Sequence, residues 1–302
     1  MVGENQEMCG SSFLVESPPQ AMAAPVDVLA VAIQESLAQE QHGLNDLGSF
    51  ALFRYGHTPF NGGSDHYVLS DPTVGIACPM IIEWPDRVYH TSMDTIDKVD
   101  TASLSRAGLL TATYAAFLAG AGAEEAAWLA YEAQTRYKAT IAREGQNVLT
   151  RLREKQTADG ECIARDLAWL KRRVLYLAER QQATLGWLER LGGADVTPTL
   201  RALQSEAATL AWNEWTAHGE VAQGIAARRG VRRMPDAPER ELDDWDRAAQ
   251  EMTPSRPLAG PVELRQYLAS LSPEERDEWY AFAQKHRGTP DAVLTLALYA
   301  IG

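Results

Sequence analysis

Two polar segments stand out for the chemistry their side chains could do. The first is Gly62-Gly63-Ser64-Asp65-His66, and the second runs from Trp84 to Asp97 as Trp-Pro-Asp-Arg-Val-Tyr-His-Thr-Ser-Met-Asp-Thr-Ile-Asp. Both follow strand-like runs, and in α/β proteins ligands bind in the loops beyond strand ends. His90 comes shortly after the apolar run Val74–Glu83. A neutral imidazole there can ligate zinc through one nitrogen, and its other N–H then needs an acceptor to fix the ring. Asp94 is near enough in sequence to be that acceptor. His66 follows two glycines, where backbone can approach a ligand closely, and Asp65 could orient a substrate amine. Taken singly, His-x-x-x-Asp is a weak metal signal. Adjacent Ser-Asp-His residues do not make a catalytic triad, which depends on geometry rather than adjacency. Asp97, Lys98 and Asp100 read as the solvated start of a helix. His42, His57, His218 and His286 are scattered and receive no role.

The elements that must hold these segments follow from punctuation and periodicity. Residues 1–122 alternate short apolar runs with Gly, Pro and Asn. Strands are expected at Phe13–Val15, Phe50–Tyr55 and Val74–Glu83. Helices are expected at Val26–Gln39, with Asp27 as a cap, and at Ser103–Leu118. Such alternation indicates an α/β domain or part of one. Residues 123–230 are helical almost throughout. Glu124–Gln156 and Cys162–Leu191 form an expected antiparallel hairpin about Asp159-Gly160, Gly192-Gly193 closes the second helix, and Thr199–Arg228 is a third. Residues 231–302 read as a Pro-rich linker, Pro235–Pro261, around a short helix near Asp243–Glu251. A small module follows, with helices at Gly260–Leu271, Pro273–His286 and Pro290–Ile301. Ser272 caps the middle helix, with Pro273 at its first position.

Composition narrows the function classes. The 302 residues carry a formal charge of −13, which repels phosphate backbones and argues against nucleic acid as a partner. The arginines at 228, 229, 232 and 233 read as a solvated helix end. Cys9, Cys78 and Cys162 are odd in number and far apart, so they imply no disulfide framework, and each reads as a small buried hydrophobe. No run approaches the ~20 apolar residues of a membrane span. The opening residues are polar and acidic, unlike a signal peptide, and the compartment stays open. Seven of the eight tryptophans fall between Trp128 and Trp279, where packing between long helices accounts for them.

The two polar segments together carry a resemblance that neither carries alone. Gly63-Ser64-Asp65-His66, then Ile76-Ala77-Cys78-Pro79, then Tyr89-His90-Thr91-Ser92-Met93-Asp94-Thr95 resemble, in order and spacing, the C-terminal half of the family-28 metallopeptidases. These are di-zinc aminopeptidases and carboxypeptidases. The resemblance covers roughly residues 1–120. It implies an incomplete zinc-peptidase-like mixed sheet with flanking helices; the mainly α-helical C-terminal region that follows is read from its periodicity alone. It implies that His90 ligates one of two zinc ions, and that Ser64, Asp65, His66, Tyr89 and Asp94 face the substrate or support the metal. Peptide is the implied substrate.

The same resemblance exposes a shortfall. The family's first histidine, bridging aspartate and Glu-Glu pair have no match here. Its Asp-Met-Val-Gly strand end matches only Met1-Val2-Gly3, so the zinc-binding aspartate would precede Met1. The expectation is therefore a fragment of a zinc exopeptidase, inactive alone, in which an internal methionine is taken as the start or the gene is truncated; members of the family are often exported, and the compartment of this chain stays open. Two other readings stand beside it: a non-catalytic peptidase-like binding module, and a helical interaction protein. In the last, the hairpin would be the working surface and a route to oligomerisation.

Overall fold

A three-stranded mixed sheet, not a long one, underlies the N-terminal part of the chain. The computed structural model describes residues 3–39, 51–154, 160–231, 251 and 268–285. Their elements in chain order are α1 (Gln6–Cys9), β1 (Ser12–Glu16), α2 (Val26–Ala38), β2 (Tyr55–Thr58), α3 (His66–Leu69), β3 (Met80–Trp84), α4 (Thr101–Gly120), α5 (Ala123–Glu154), α6 (Gly160–Trp187), α7 (Glu189–Arg228) and α8 (Pro273–Lys285). These residues fall into two compact units, one of residues 3–22, 26–120 and 268–285, the other of residues 23–25, 121–231 and 251.

In the first unit the strand order is β2-β1-β3. β1 runs parallel to β2 and antiparallel to β3, with Phe13 opposite Glu83 and Val15 opposite Ile81. Phe13 and Val15 lie two apart and so share a face. That face packs against Ala30 and Val31 of α2 and Ala107 and Leu110 of α4. Gln34 reaches from α2 to the sheet, donating through Nε2 to the Phe13 carbonyl at 2.8 Å. α2 and α4 thus cover one face of the sheet.

Two strand expectations are corrected. Phe50–Tyr55 is displaced: the strand is Tyr55–Thr58, and residue 50 lies outside the described residues. Val74–Glu83 shortens to Met80–Trp84. The Asp71 side chain accepts the Thr73 N–H and its carbonyl accepts those of Val74 and Gly75, which folds the start of the run into a turn. Pro79, with no N–H to give a sheet, then sets where pairing begins. Asp27 sits in the first turn of α2 and accepts the Val28 N–H instead of capping from outside. Of the cysteines only Cys9 is buried, and Cys78 and Cys162 are half-buried.

The second unit is a three-helix bundle. α5 opens on Glu124 and Glu125 and ends on Arg151 and Arg153, matching the positive and negative ends of its dipole. The Glu125 carboxylate also accepts the Gly122 N–H at 2.9 Å. Ile141, Val148, Leu152, Ile163, Leu170, Val174 and Leu177 join Ala207, Ala211, Ala222 and Ala226 in one core. The small residues of α7 let its backbone come close to the other two helices. α7 breaks at Gly193 (φ 60°, ψ −151°), a region open only to glycine. The second helix therefore ends at Trp187 and not at Gly192-Gly193; the glycine pair interrupts α7 instead, which starts before the expected Thr199 and carries Pro198 in the opening turns of its second segment. Arg229 donates to the Leu152 carbonyl near the end of α5, so this arginine satisfies a helix terminus.

A buried amide layer crosses the bundle. Gln134 donates to Glu206 at 2.9 Å and accepts from Gln181 at 3.0 Å, and Gln182 and Gln204 exchange bonds with each other's carbonyls. The Lys138 ammonium, and after it the Gln134 amide, hold the Glu206 carboxyl below the usual glutamate range. A carboxyl depressed on folding contributes stability above its ordinary range and loses it as pH falls through the depressed value. Thermal unfolding of Glu206→Gln should therefore lose part of its acid dependence. A pH profile identical to the parent's would contradict this account.

In the C-terminal residues, the Ser272 hydroxyl accepts the Glu275 N–H at 3.3 Å and the Glu275 carboxylate accepts the Ser272 N–H at 2.9 Å. Ser272 thus caps α8 as expected, and Glu275 makes the cap a reciprocal capping box. The linker and the flanking helices expected at Asp243–Glu251, Gly260–Leu271 and Pro290–Ile301 lie largely outside the described residues. No described helix is long and apolar enough to cross a membrane.

Candidate functional site

Residues 3–10 and 83–100 are laced together by backbone hydrogen bonds. Asn5 donates to the Lys98 carbonyl at 2.7 Å, Asp100 to the Gly3 carbonyl at 2.8 Å, and Arg87 to the Cys9 carbonyl at 3.1 Å. Asn5 also caps α1, its side-chain oxygen accepting the N–H groups of Glu7 and Met8. The far side of this turn is fixed by Gln6, whose amide exchanges two 2.8 Å bonds with the Arg54 backbone. The 85–95 loop is therefore held at both ends against the N-terminal turn.

His90 lies in this loop with φ 56°, a left-handed conformation uncommon outside glycine. It is exposed, and its ring stacks on Tyr89, with centroids 3.8 Å apart. Tyr89 in turn meets Trp84 edge to face at 5.3 Å. The loop thus presents an imidazole to solvent on a short aromatic ladder that starts at the end of β3. Asp94 is also exposed, and among the described residues no hydrogen bond joins it to His90. The loop's Thr91 hydroxyl donates to the Val88 carbonyl at 2.7 Å.

The other predicted segment lies elsewhere. His66 is 6% exposed, with Nε2 bonded to Glu16 at 2.8 Å and its ring edge-on to Phe60. Glu16 also accepts the N–H groups of Asn61 and Gly62. His66 therefore fastens residues 62–69 to the end of β1. Ser64 and Asp65 are exposed beside it. Glu16 pairs with Met80, whereas Ser12 pairs with Trp84. The 64–66 segment and the His90 loop thus leave opposite ends of the β1–β3 pair, about 13 Å apart at ~3.3 Å per residue.

Sequence reasoning missed a group of acids below the His90 loop. Glu83 is 1% exposed and lies on the helix-covered face with Phe13. One of its oxygens accepts the Glu4 N–H. Burial raises the Glu83 carboxyl above its usual range, against the pull of the Glu4 and Gly3 backbone bonds. Glu4 is 4% exposed. Burial first, and the charge of Asp86 next, push its carboxyl up to about 7. Burial, then Glu4, likewise raise the Cys9 thiol. The Glu4 carboxyl, the Cys9 sulfur and the Asp86 carboxyl offer atoms that all lie within 4.8 Å of one another. The sequence signal was an acid, Glu83, inside the apolar run Met80-Ile81-Ile82-Glu83-Trp84.

One further triad of residue types can be set aside. The Ser17 hydroxyl lies 2.5 Å from Asp27 and 2.6 Å from His57. Serine sits in the middle, so the histidine is not held between nucleophile and acid as base catalysis requires. Comparison with protein-family models, with curated proteins and with solved structures finds no match to this chain.

Proposed function

We propose that residues 3–120 are part of a zinc-dependent exopeptidase, in which His90 supplies one metal ligand. The observation that carries the reading is the presentation of His90. The ring stands exposed on a left-handed backbone, braced by Tyr89, in a loop stitched at both ends to the turn at residues 3–10. A residue held in a sparsely populated conformation points to a demand beyond folding. The family-28 resemblance supplies the demand: an imidazole aimed at an ion. On this reading Tyr89 sets the ring plane, and Ser64 and Asp65 stay available to a peptide from the other end of the sheet.

A catalytic zinc keeps three protein ligands and an open position, and paired ions lie ~3.5–4 Å apart. When bound, such ions would activate a water for attack on the peptide carbonyl. His90 provides one donor of the set, so this chain is proposed to be inactive by itself.

The test begins with the coding sequence upstream of Met1. An in-frame aspartate codon directly before Met1, with a Glu-Glu pair and a His/Asp pair further up, supports the reading. In the protein so extended, His90→Ala should remove one equivalent of zinc and lower hydrolysis of aminoacyl or carboxy-terminal peptide substrates at least ~100-fold, the scale of losing a metal ligand or its support. His57→Ala should leave both within about twofold. A stop codon immediately upstream, or unchanged zinc in His90→Ala, overturns the proposal.

A second reading, an interaction role for the helical bundle, has one observation in its favour. Trp128, Tyr131 and Trp212 stay about half exposed although α5, α6 and α7 share a filled core. Tyrosine and tryptophan on a surface are the side chains that anchor protein partners.

A further inference from the structure

We infer that Glu4, Cys9 and Asp86 form a binding site for one divalent metal ion of the zinc class. The inference rests on these residues alone and does not depend on the peptidase reading of His90.

Three features support it. First, the donor atoms converge: each residue offers one ligand atom and all three lie within 4.8 Å of one another. A tetrahedral zinc with Zn–S ~2.3 Å and Zn–O ~2.0–2.2 Å asks the donors to close by about an ångström, within reach of side-chain rotation. Second, the cluster is short of hydrogen-bond donors. Both carboxyl oxygens of Glu4, Oδ2 of Asp86 and Oε1 of the neighbouring Glu83 are shielded from solvent and have no hydrogen-bond partner among the described residues. Glu4 is the decisive one, being 4% exposed and directed into the cluster. A buried carboxyl without a donor is costly, and a cation removes the cost in one step. Lys98, whose charge acts on Cys9, is already paired with Asp97.

Third, the frame is fixed independently of any ion. Asn5 caps α1 between Glu4 and Cys9, the Arg87 N–H holds the Cys9 carbonyl, and Asp86 Oδ1 accepts the Val88 N–H at 2.9 Å, which leaves Oδ2 turned to the cluster. Two carboxylates with one thiolate suit zinc better than magnesium or calcium, whose ligands are oxygens. Binding would displace the thiol proton of Cys9 and any proton on Glu4, since the bound ion inverts the local preference for neutral forms.

Cobalt(II) chloride is the probe, because a cobalt–thiolate bond gives a near-ultraviolet charge-transfer absorption. The full chain should take up one equivalent with that absorption. Cys9→Ser should abolish it, while Cys78→Ser and Cys162→Ser keep it. Glu4→Gln and Asp86→Asn should each weaken cobalt binding at least tenfold with the circular dichroism unchanged. If Cys9→Ser does not fold, the two carboxylate variants decide. The inference is overturned by an absorption that survives in Cys9→Ser, by carboxylate variants that bind as tightly as the parent, or by no cobalt–thiolate absorption at all. His90→Ala should leave this binding intact. Loss of the absorption there would assign the ion to His90 and overturn the three-residue site, whereas failure of the peptidase assays alone would leave it standing.

Discussion

Phe13→Ala is expected to destabilise the first unit by about 3–5 kcal/mol, the range for removing a large buried aromatic side chain. Phe13 is the largest of that unit's described side chains that are almost fully buried, at 1% exposed. It lies on the central strand and meets Phe53 edge to face at 6.2 Å. It also packs beside Val15, Ala30, Val31, Ala107 and Leu110. These neighbours come from three elements, so no single side chain can swing in to fill the space. Domains are stable by only about 5–15 kcal/mol, so the loss should be visible as raised hydrogen exchange in peptides from β1, β2 and β3. A change below about 1 kcal/mol would mean that the α2–α4 layer does not rest on the sheet as described.

Gly145→Ala should cost about 1–3 kcal/mol in the bundle, the range for overpacking a filled core. A Cβ built on Gly145 would lie 2.3–2.7 Å from three ring atoms of His218. The ring has limited freedom to retreat, because Nδ1 lies 2.9 Å from the Glu214 carbonyl oxygen one turn earlier. The mechanism has its own control. In a His218→Ala background the clash is gone, and Gly145→Ala should become neutral or stabilising, since alanine is the better helix former by about 1 kcal/mol. Equal costs in both backgrounds would refute the steric account. Urea unfolding of the four proteins gives the cycle.

How far structure could be read from sequence differs between elements. The bundle was legible because its helices are long and amphipathic, so periodicity placed α5, α6 and α7 to within a few residues or, for α7, one early segment. α2 and α4 were legible for the same reason. The strands were harder. Val74–Glu83 looks like one β-rich run, yet Asp71 turns its first half, and a side-chain hydrogen bond of that kind has no periodic signature. Tyr55–Thr58 contains a glycine and a histidine and pairs as a strand because β1 offers it an edge. Tertiary context of this kind is what makes strand preference weak.

The site was legible only in part. His90, Tyr89 and Asp94 could be named from a motif, since they follow one another in a single loop. His66 could be named but not placed, because its partner Glu16 is fifty residues away and has no marker in the sequence. Glu4, Cys9 and Asp86 carried no signal as a group. Each is ordinary where it stands, and only the turn at residues 3–10, folded back on the 83–100 segment, brings them together.

That fold-back has a consequence for how the chain is made. Asn5 docks through Lys98, and Gly3 through Asp100. During synthesis the turn leaves the ribosome about ninety residues ahead of its docking partner, ~5–20 s at ~5–20 residues per second. In that interval Cys9 is an accessible thiol beside two solvated acids, open to oxidants and to free metal ions. Once Lys98 and Asp100 emerge and close the turn, Cys9 is buried and its sulfur stands beside the Glu4 and Asp86 carboxyls. Closing the turn therefore gathers a solvated thiol and two solvated acids into one cluster.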